Sequence, residues 1–327
     1  MTAFIITSAI IIDALLGEAR RYHPLVGFGH CANYLERIFN HPLMQKNHQT
    51  ESLQADKQTD ISTFRLKNFL MGLISTVALV CPIIALTYFL TLPLEGSFYT
   101  YLIDIFIVYW AIGLQSLRQH VAPIQVALNT NNIELARKRV SFIVSRNTEQ
   151  LNKQEITKAA IETTLENGND ALFAVLFCYV VGGVELVVAY RLINTLDAMW
   201  GYRNNRFEFF GKTVAKLDDL LNFIPARLTA LSYSICGNFK VGMCSWFTQA
   251  ALLKSPNAGP VMTAGAGSLD LQLGGNTYYH GKLVEKPLFG GKKDALPDDI
   301  GRSINLVYCS TIIWVLAILL ITKFHSI

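Results

Sequence analysis

A chain of 327 residues that is 51% hydrophobic and only 16% charged falls well short of the roughly 25% charge of an ordinary soluble domain. Its formal net charge of +4 is far from the clustered basic footprint of a nucleic-acid-binding protein. Composition therefore excludes a freely soluble domain, argues against a nucleic-acid partner, and assigns the chain to the membrane class with lipid as its surroundings.

In chain order, Phe4–Leu16 is apolar but short and ends around Asp13. It lacks a basic leading segment and a small-residue cleavage site, so it reads as a retained first helix rather than a removed signal peptide. His23 and His30, in RRYHPLVGFGH, have no metal-ligand spacing and read as capping or hydrogen-bonding residues. Residues His41–Ser62 are rich in Gln, Asn, Lys and Asp without apolar periodicity, which predicts a mobile polar loop. Phe69–Phe89 carries no charge and Phe98–Leu117 only Asp104, and each is long enough for the roughly 20 residues that cross the hydrocarbon core. Between Asn132 and Leu151 apolar residues recur at helical spacing around Arg137, Lys138 and Arg139, predicting an amphipathic helix with a basic face near anionic lipid.

Ala171–Tyr190 is apolar apart from Glu185 and is interrupted by Gly182 and Gly183, so it reads as membrane-embedded. Ser255–Asp299 shifts toward Gly and Pro and predicts a loop-rich segment. Ile304–Ile321 is again uncharged and long enough for a span. The fold class is all-α: a polytopic integral membrane protein of about five transmembrane or membrane-embedded segments, with cytoplasmic helical loops, in one domain over 1–327. Lys and Arg are abundant in Arg20–Lys67 and Arg118–Lys158 and absent from Thr91–Ser97. The positive-inside rule places both long segments, and Arg203–Arg302 with its Gly-rich stretch, in the cytoplasm. Returning there after Lys158 takes either a hairpin at the glycine pair or a second pass near Leu220–Cys236.

Familiar nucleotide and metal motifs are absent. From Gly275 to Gly281-Lys282 there is one residue too many for a P-loop, and Leu283 stands where Ser or Thr would hold magnesium. The six cysteines include no C-x-x-C pair and suggest neither a disulfide framework nor a zinc site.

Polar chemistry concentrates in three places. Glu162, Glu166 and Asp170 are spaced four apart and would form one acidic stripe on a helix, with Asn167 adjacent. Like charges at that spacing repel, so a divalent cation or arginines must compensate, and magnesium favours one or two carboxylates together with substrate phosphates. Asn194 and Asp197 share a helix face just beyond the apolar run, followed by Gly201, Tyr202, Arg203 and Asn204. Asp218, Asp219 and Asn222 precede Pro225, Arg227 and a further apolar helix. Singly, each is accounted for by a helix cap or an ordinary ion pair. Together, beside apolar segments where unpaired charge is costly, they mark a functional site.

The stretches DALLGEARRYHPLVGFG, ARKRVSFIVSRNTEQL, AAIETTLENGNDALFAVLF, INTLDAMWGYRNNRFEFFG, KLDDLLNFIPARLTAL and SPNAGPVMTAGAGSLDLQLGG, in this order, resemble the CobD/CbiB family of cobalamin biosynthesis, the adenosylcobinamide-phosphate synthases. The resemblance implies an enzyme of the bacterial cytoplasmic membrane that joins a carboxylate of adenosylcobyric acid to (R)-1-amino-2-propanol or its O-phosphate, with ATP as co-substrate and Mg2+. It makes Glu162, Glu166, Asp170, Asn194 and Asp197 catalytic candidates. Glu166, Asp170, Asp197, Asp218 and Asp219 are metal candidates, and Arg146, Asn167, Arg203, Asn222 and Arg227 would bind substrate or phosphate. The chain departs from the family pattern at Asn147, where SRDT is usual; at Gly168-Asn169-Asp170-Ala171, where T-x-D-G is usual; and at Val175, where Pro is usual. These departures bear on substrate detail, such as the choice of amino-alcohol. Two alternatives stay open: a non-catalytic sensor on the same scaffold, and a corrinoid transporter using Asp104, Glu185 and a helix broken at Gly182-Gly183. Oligomeric state, a homo-oligomer included, is not fixed by the sequence.

Overall fold

The computed structural model describes residues 1–18, 24–40, 54–275, 277–279, 282–284 and 286–324. The helices in chain order are α1 (Thr2–Leu16), α2 (Pro24–Phe39), α3 (Gln54–Thr91), α4 (Phe98–Ala111), α5 (Leu114–Asn129), α6 (Ile133–Val140) and α7 (Lys153–Gly168). A π-turn, Asn169–Phe173, joins α7 to α8 (Ala174–Trp200). Then follow α9 (Lys212–Leu221), α10 (Phe223–Cys236), α11 (Phe239–Gln249), α12 (Ala258–Ser268) and, last, α13 (Asp298–Phe324). Short strands β1 (Leu271–Gly274), β2 (Thr277–Tyr279), β3 (Lys282–Val284), β4 (Leu288–Gly290) and β5 (Lys293–Asp294) lie between α12 and α13. β1 pairs antiparallel with β4 and parallel with β5, and β2 pairs antiparallel with β3.

The protein is an all-α polytopic membrane protein. Among the described residues four helical stretches are long and apolar enough to cross a bilayer: Thr63–Leu94, Phe98–Asn129, Lys153–Trp200 and Asp298–Phe324, with Thr2–Leu16 apolar but shorter. The spans expected at 69–89, 98–117 and 304–321, and the embedded run at 171–190, lie within these stretches. Among the described residues neither a hairpin nor a second full pass is shown for the central region. Helical dihedrals break at Gly182 and Gly183, where φ of +64° and ψ of −159° at Gly183 fall in a region essentially reserved for glycine. A separate helix, α10, follows, but its 14 residues rise only about 21 Å, short of the ~30 Å core.

Three expectations need correction. Residues 41–53 of the expected polar loop lie outside the described residues, but 54–62 are helical, because α3 starts at Gln54. The amphipathic helix expected over 132–151 stops at Val140. Ser141 donates its hydroxyl to Lys138 O, Asn147 Oδ1 accepts from Glu149 N, and Asn152 opens α7 through a capping box with Glu155. Such local side-chain bonds compete with a continuing helix. Residues 255–299, expected to be loop-rich, contain α12 and all five strands. The glycines of α12 serve close packing: a Cβ at Gly267 would meet Ser245 Oγ at 2.6 Å, and one at Gly242 of α11 would meet Ser268 Oγ at 2.6 Å. Small residues let helix backbones approach in this way.

The chain packs as two compact units. Unit 1 is Met1–Glu18, Asp104–Val181 and Asn222–Ile327; unit 2 is Ala19–Ile103 and Gly182–Leu221. In unit 1, α13 packs against α1, α5, α7 and α10. Its Trp314 stacks on Phe173 at 5.3 Å between ring centroids and donates its indole N–H to Ser232 Oγ at 2.9 Å. Phe173 also meets Tyr233 edge-on at 6.0 Å, and aromatic pairs of this kind contribute about 0.5–1.5 kcal/mol each beyond burial. The first turn of α5 is capped from outside: the buried Asp13 of α1 accepts from Gln115 N through Oδ2 at 2.9 Å. In unit 2, α3 packs against α2 and α9, and Trp200 meets Phe210 edge-on at 5.0 Å. Arg206 donates to both carboxylate oxygens of Glu36, Nε to Oε1 at 2.9 Å and Nη2 to Oε2 at 2.6 Å.

Candidate functional site

The polar clusters divide between the units. In unit 1, α7 ends at Gly168, and Asp170 stands in the π-turn that follows. There Ala174 N donates to Asn169 O, five residues back, while Ala171 O accepts from Gly113 N at 2.9 Å. Glu162 and Glu166 stand on α7, and Asp170 on the turn that follows it. Single-turn π segments of this kind recur at functional sites.

The hub of the unit 1 cluster is Asn169, which the sequence reading did not select as a site residue. It is 2% exposed. Its amide nitrogen donates to Asp170 Oδ1 at 2.9 Å and to Asn222 Oδ1 at 3.0 Å, and its Oδ1 accepts from the buried Thr229 hydroxyl at 2.9 Å. Asn222, 1% exposed, is the residue that opens α10. A buried, mutually satisfied set of this kind fixes side-chain orientation, so Asp170 is held on a defined side of the turn. Glu166 is exposed and Asn167 half-buried, with its amide donating back to Thr163 O at 3.0 Å. Tyr233, fully buried, donates its hydroxyl to Leu165 O at 3.0 Å.

Glu162 has a different occupation. Its Oε1 accepts from Gly274 N at 2.9 Å, tying α7 to the end of β1. Arg227 is likewise engaged by the protein: Nη1 donates to Phe223 O at 2.7 Å and Asn257 Oδ1 at 3.1 Å, Nη2 donates to Pro256 O at 3.2 Å, and the guanidinium lies 3.5 Å from the centroid of the Phe223 ring. Arg146 lies half-buried in the connection between α6 and α7.

In unit 2 the last turns of α8 and the exposed side of α9 carry the second cluster. Asn194 Nδ2 donates to Asp218 Oδ1 at 3.2 Å. Asp197 is half-buried, and Gly201 donates its N–H to Asp197 O at 2.7 Å as the chain turns out of α8. A Cβ at Gly201 would collide with the Asp197 side chain, so glycine is needed to keep that carboxylate where it is. Asp219 is half-buried on α9; burial raises its carboxyl above the ordinary value, while the positive charge of the exposed Arg203 pulls it back.

Among the described residues no three His, Cys, Asp or Glu side chains converge as a metal cage. Each cluster instead pairs an amide with a carboxylate, Asn169 with Asp170 and Asn194 with Asp218. That donor set fits a magnesium ion that takes one or two protein carboxylates and completes its shell with phosphate oxygens and water.

The family model described as CobD/Cbib protein matches residues 6–307. Over 322 residues the chain is 42% identical to the cobalamin biosynthesis protein CobD of Stutzerimonas stutzeri, covering 98% of each. It is 41% identical over 314 residues to the CobD of Chromobacterium violaceum, covering 96% of this chain and 94% of that one. With the CobD of Clostridium acetobutylicum the identity is 32% over 323 residues, covering 97% of each. No solved structure matches.

Proposed function

The chain belongs to the CobD/CbiB family, and from that membership we propose that it is a synthase of cobalamin biosynthesis joining a carboxylate of adenosylcobyric acid to aminopropanol or aminopropanol phosphate. The names of its relatives support the pathway. One observation supports the reaction class: carboxylates from the family motifs are bonded by amides, Asp170 by Asn169 and Asp218 by Asn194, which keeps each in a fixed orientation.

A carboxylate is a poor acyl group, so the reaction needs activation. Transfer of the terminal phosphoryl group of ATP to a carboxylate oxygen of the corrinoid releases ADP and gives an acyl phosphate. The amine nitrogen then bonds to the acyl carbon, the bond to phosphate breaks, inorganic phosphate departs, and the nitrogen loses a proton. Glu166 and Asp170 are assigned to receive that proton in unit 1, with Asn169, Asn167 and Asn222 orienting them. One or two of Asp197, Asp218 and Asp219 are assigned to hold magnesium in unit 2, with Asn194 bonded to Asp218. Magnesium, when bound, offsets the charge on transferring phosphoryl oxygens. Arg203 and Arg146 are assigned to the anionic groups of the substrates. Glu162 and Arg227 are assigned to positioning, since protein partners already engage their polar atoms. The distribution of Lys and Arg supports a bacterial inner-membrane location with both clusters toward the cytoplasm.

The test supplies detergent-purified protein with adenosylcobyric acid, aminopropanol phosphate, ATP and magnesium, and follows the condensed product by mass. Product that depends on ATP supports the reading, and product formed equally without ATP rejects the activation step. Against a transporter stands the pairing of the intramembrane carboxylates: Asp104 accepts from Tyr179 at 2.7 Å and Glu185 from Thr91 at 3.1 Å. Corrinoid uptake by vesicles without amide formation would reverse that judgement.

A further inference from the structure

The short connection between two membrane-capable stretches carries an outward stripe that no step of the proposed reaction uses. α6 begins four residues after the stretch Phe98–Asn129 ends, and the stretch Lys153–Trp200 follows. On α6 and the turn after it, Ala136 and Val140 are fully buried, and the helix packs against α5 and α7. Arg137 Nε donates to Leu151 O at 2.9 Å, which ties α6 to the start of the next stretch. The element is therefore anchored beside the ends of two membrane-capable helices and cannot swing free of them.

The opposite face is composed differently. Leu135, Lys138, Arg139 and Phe142 are spaced three, one and three apart, which places them on one side of a helical turn. All four are exposed, Leu135 by 39% and Phe142 by 63%. A solvated basic helix has no reason to offer a bare phenylalanine and leucine flanked by two cations. An element lying in the headgroup layer does, because apolar side chains enter the acyl boundary while Lys and Arg meet phosphate. Glu134, also exposed, precedes Lys138 by four residues and supports the helix rather than cancelling the basic pair.

We infer that Leu135, Lys138, Arg139 and Phe142 form a docking face for the headgroups of anionic phospholipids. The inference stands apart from the proposed reaction and does not depend on it. The full chain is placed in nanodiscs of phosphatidylcholine alone and of phosphatidylcholine mixed with phosphatidylglycerol, and backbone hydrogen exchange is followed over residues 133–144. Exchange should be slower in the anionic discs, by about fivefold for each cation engaged. Lys138→Gln with Arg139→Gln should remove the difference between the lipids, while Phe142→Ser should speed exchange in both. These side chains are exposed, so none of the variants disturbs the buried packing of α6. Equal exchange of the wild type in the two discs would overturn the inference. So would a lipid effect that survives loss of both cations, or the same protection from soluble inorganic phosphate added to phosphatidylcholine discs.

Discussion

Asn169 donates its side-chain amide to Asn222 Oδ1 at 3.0 Å, bonding the π-turn after α7 to the residue that opens α10. The same amide nitrogen holds Asp170, and the same side chain accepts from Thr229. One buried residue thus sets the direction of a carboxylate and the junction of two helices.

Asn169→Ala removes the acceptor of the buried Thr229 hydroxyl and the donor to both Asn222 and Asp170. Leaving buried polar groups unsatisfied costs about 1–3 kcal/mol each, so the melting temperature of the detergent-solubilised protein should fall along with amide formation. Asn169→Asp keeps an acceptor for Thr229 but sets a second carboxylate against Asp170, and should lower turnover more than Asn169→Ser. Turnover of Asn169→Ala within twofold of wild type, the resolution of a routine rate comparison, about 0.4 kcal/mol, would remove Asn169 from the site.

Asp218→Asn keeps the shape of the side chain bonded to Asn194 but removes its charge. Amide synthesis should drop on the order of a hundredfold, with the circular dichroism spectrum and the amount of protein in the membrane unchanged. A variant whose magnesium dependence of rate matches wild type would show that Asp218 holds no cation.

Glu162 is expected to behave as a strut. Glu162→Gln retains an oxygen to accept from Gly274 N and should keep turnover within about threefold of wild type. Glu162→Ala should destabilise by about 1 kcal/mol and speed hydrogen exchange at Gly274. A large loss of turnover in Glu162→Gln with no change in exchange would return this residue to the chemistry.

The Glu36–Arg206 pair gives unit 2 an acid limit. Burial pushes the Glu36 carboxyl up, but hydrogen bonds from Arg206 and Asn40, with the guanidinium charge, outweigh it and hold the group below its ordinary value of 4.5. A carboxyl depressed in the folded state contributes stability that is fully present above its unfolded pKa and is lost as pH falls through the lower folded value. Arg206 is 57% exposed on its side chain, so solvent screens part of the effect. Acid titration of intrinsic fluorescence should show a loss of stability below about pH 4.3 that Glu36→Gln flattens; the same acid limb in both proteins would exclude this pair as its source.

The membrane-capable stretches were legible in the sequence because runs such as Phe69–Phe89 carry their signal in every residue. Spacing beside apolar runs singled out Glu166, Asp170, Asp218 and Asp219 as candidates, and their roles came only from the family resemblance. Asn169 was not legible, since a lone Asn beside Asp170 reads as an ordinary helix end and gains its meaning only from Thr229, 60 residues away. The π-turn was hidden for a similar reason: one extra residue in a turn leaves no mark in composition. Glu162 looked like its neighbours because its partner, Gly274, lies 112 residues later.

α1 packs against both α5 and α13, so its packing is complete only once α13 has been made. The segments of unit 2 are all synthesised before Asn222, and that unit has its full complement of chain while unit 1 still waits. A stop in translation before α13 therefore leaves α1 without one of the helices it packs against, and hands quality-control proteases an incomplete assembly.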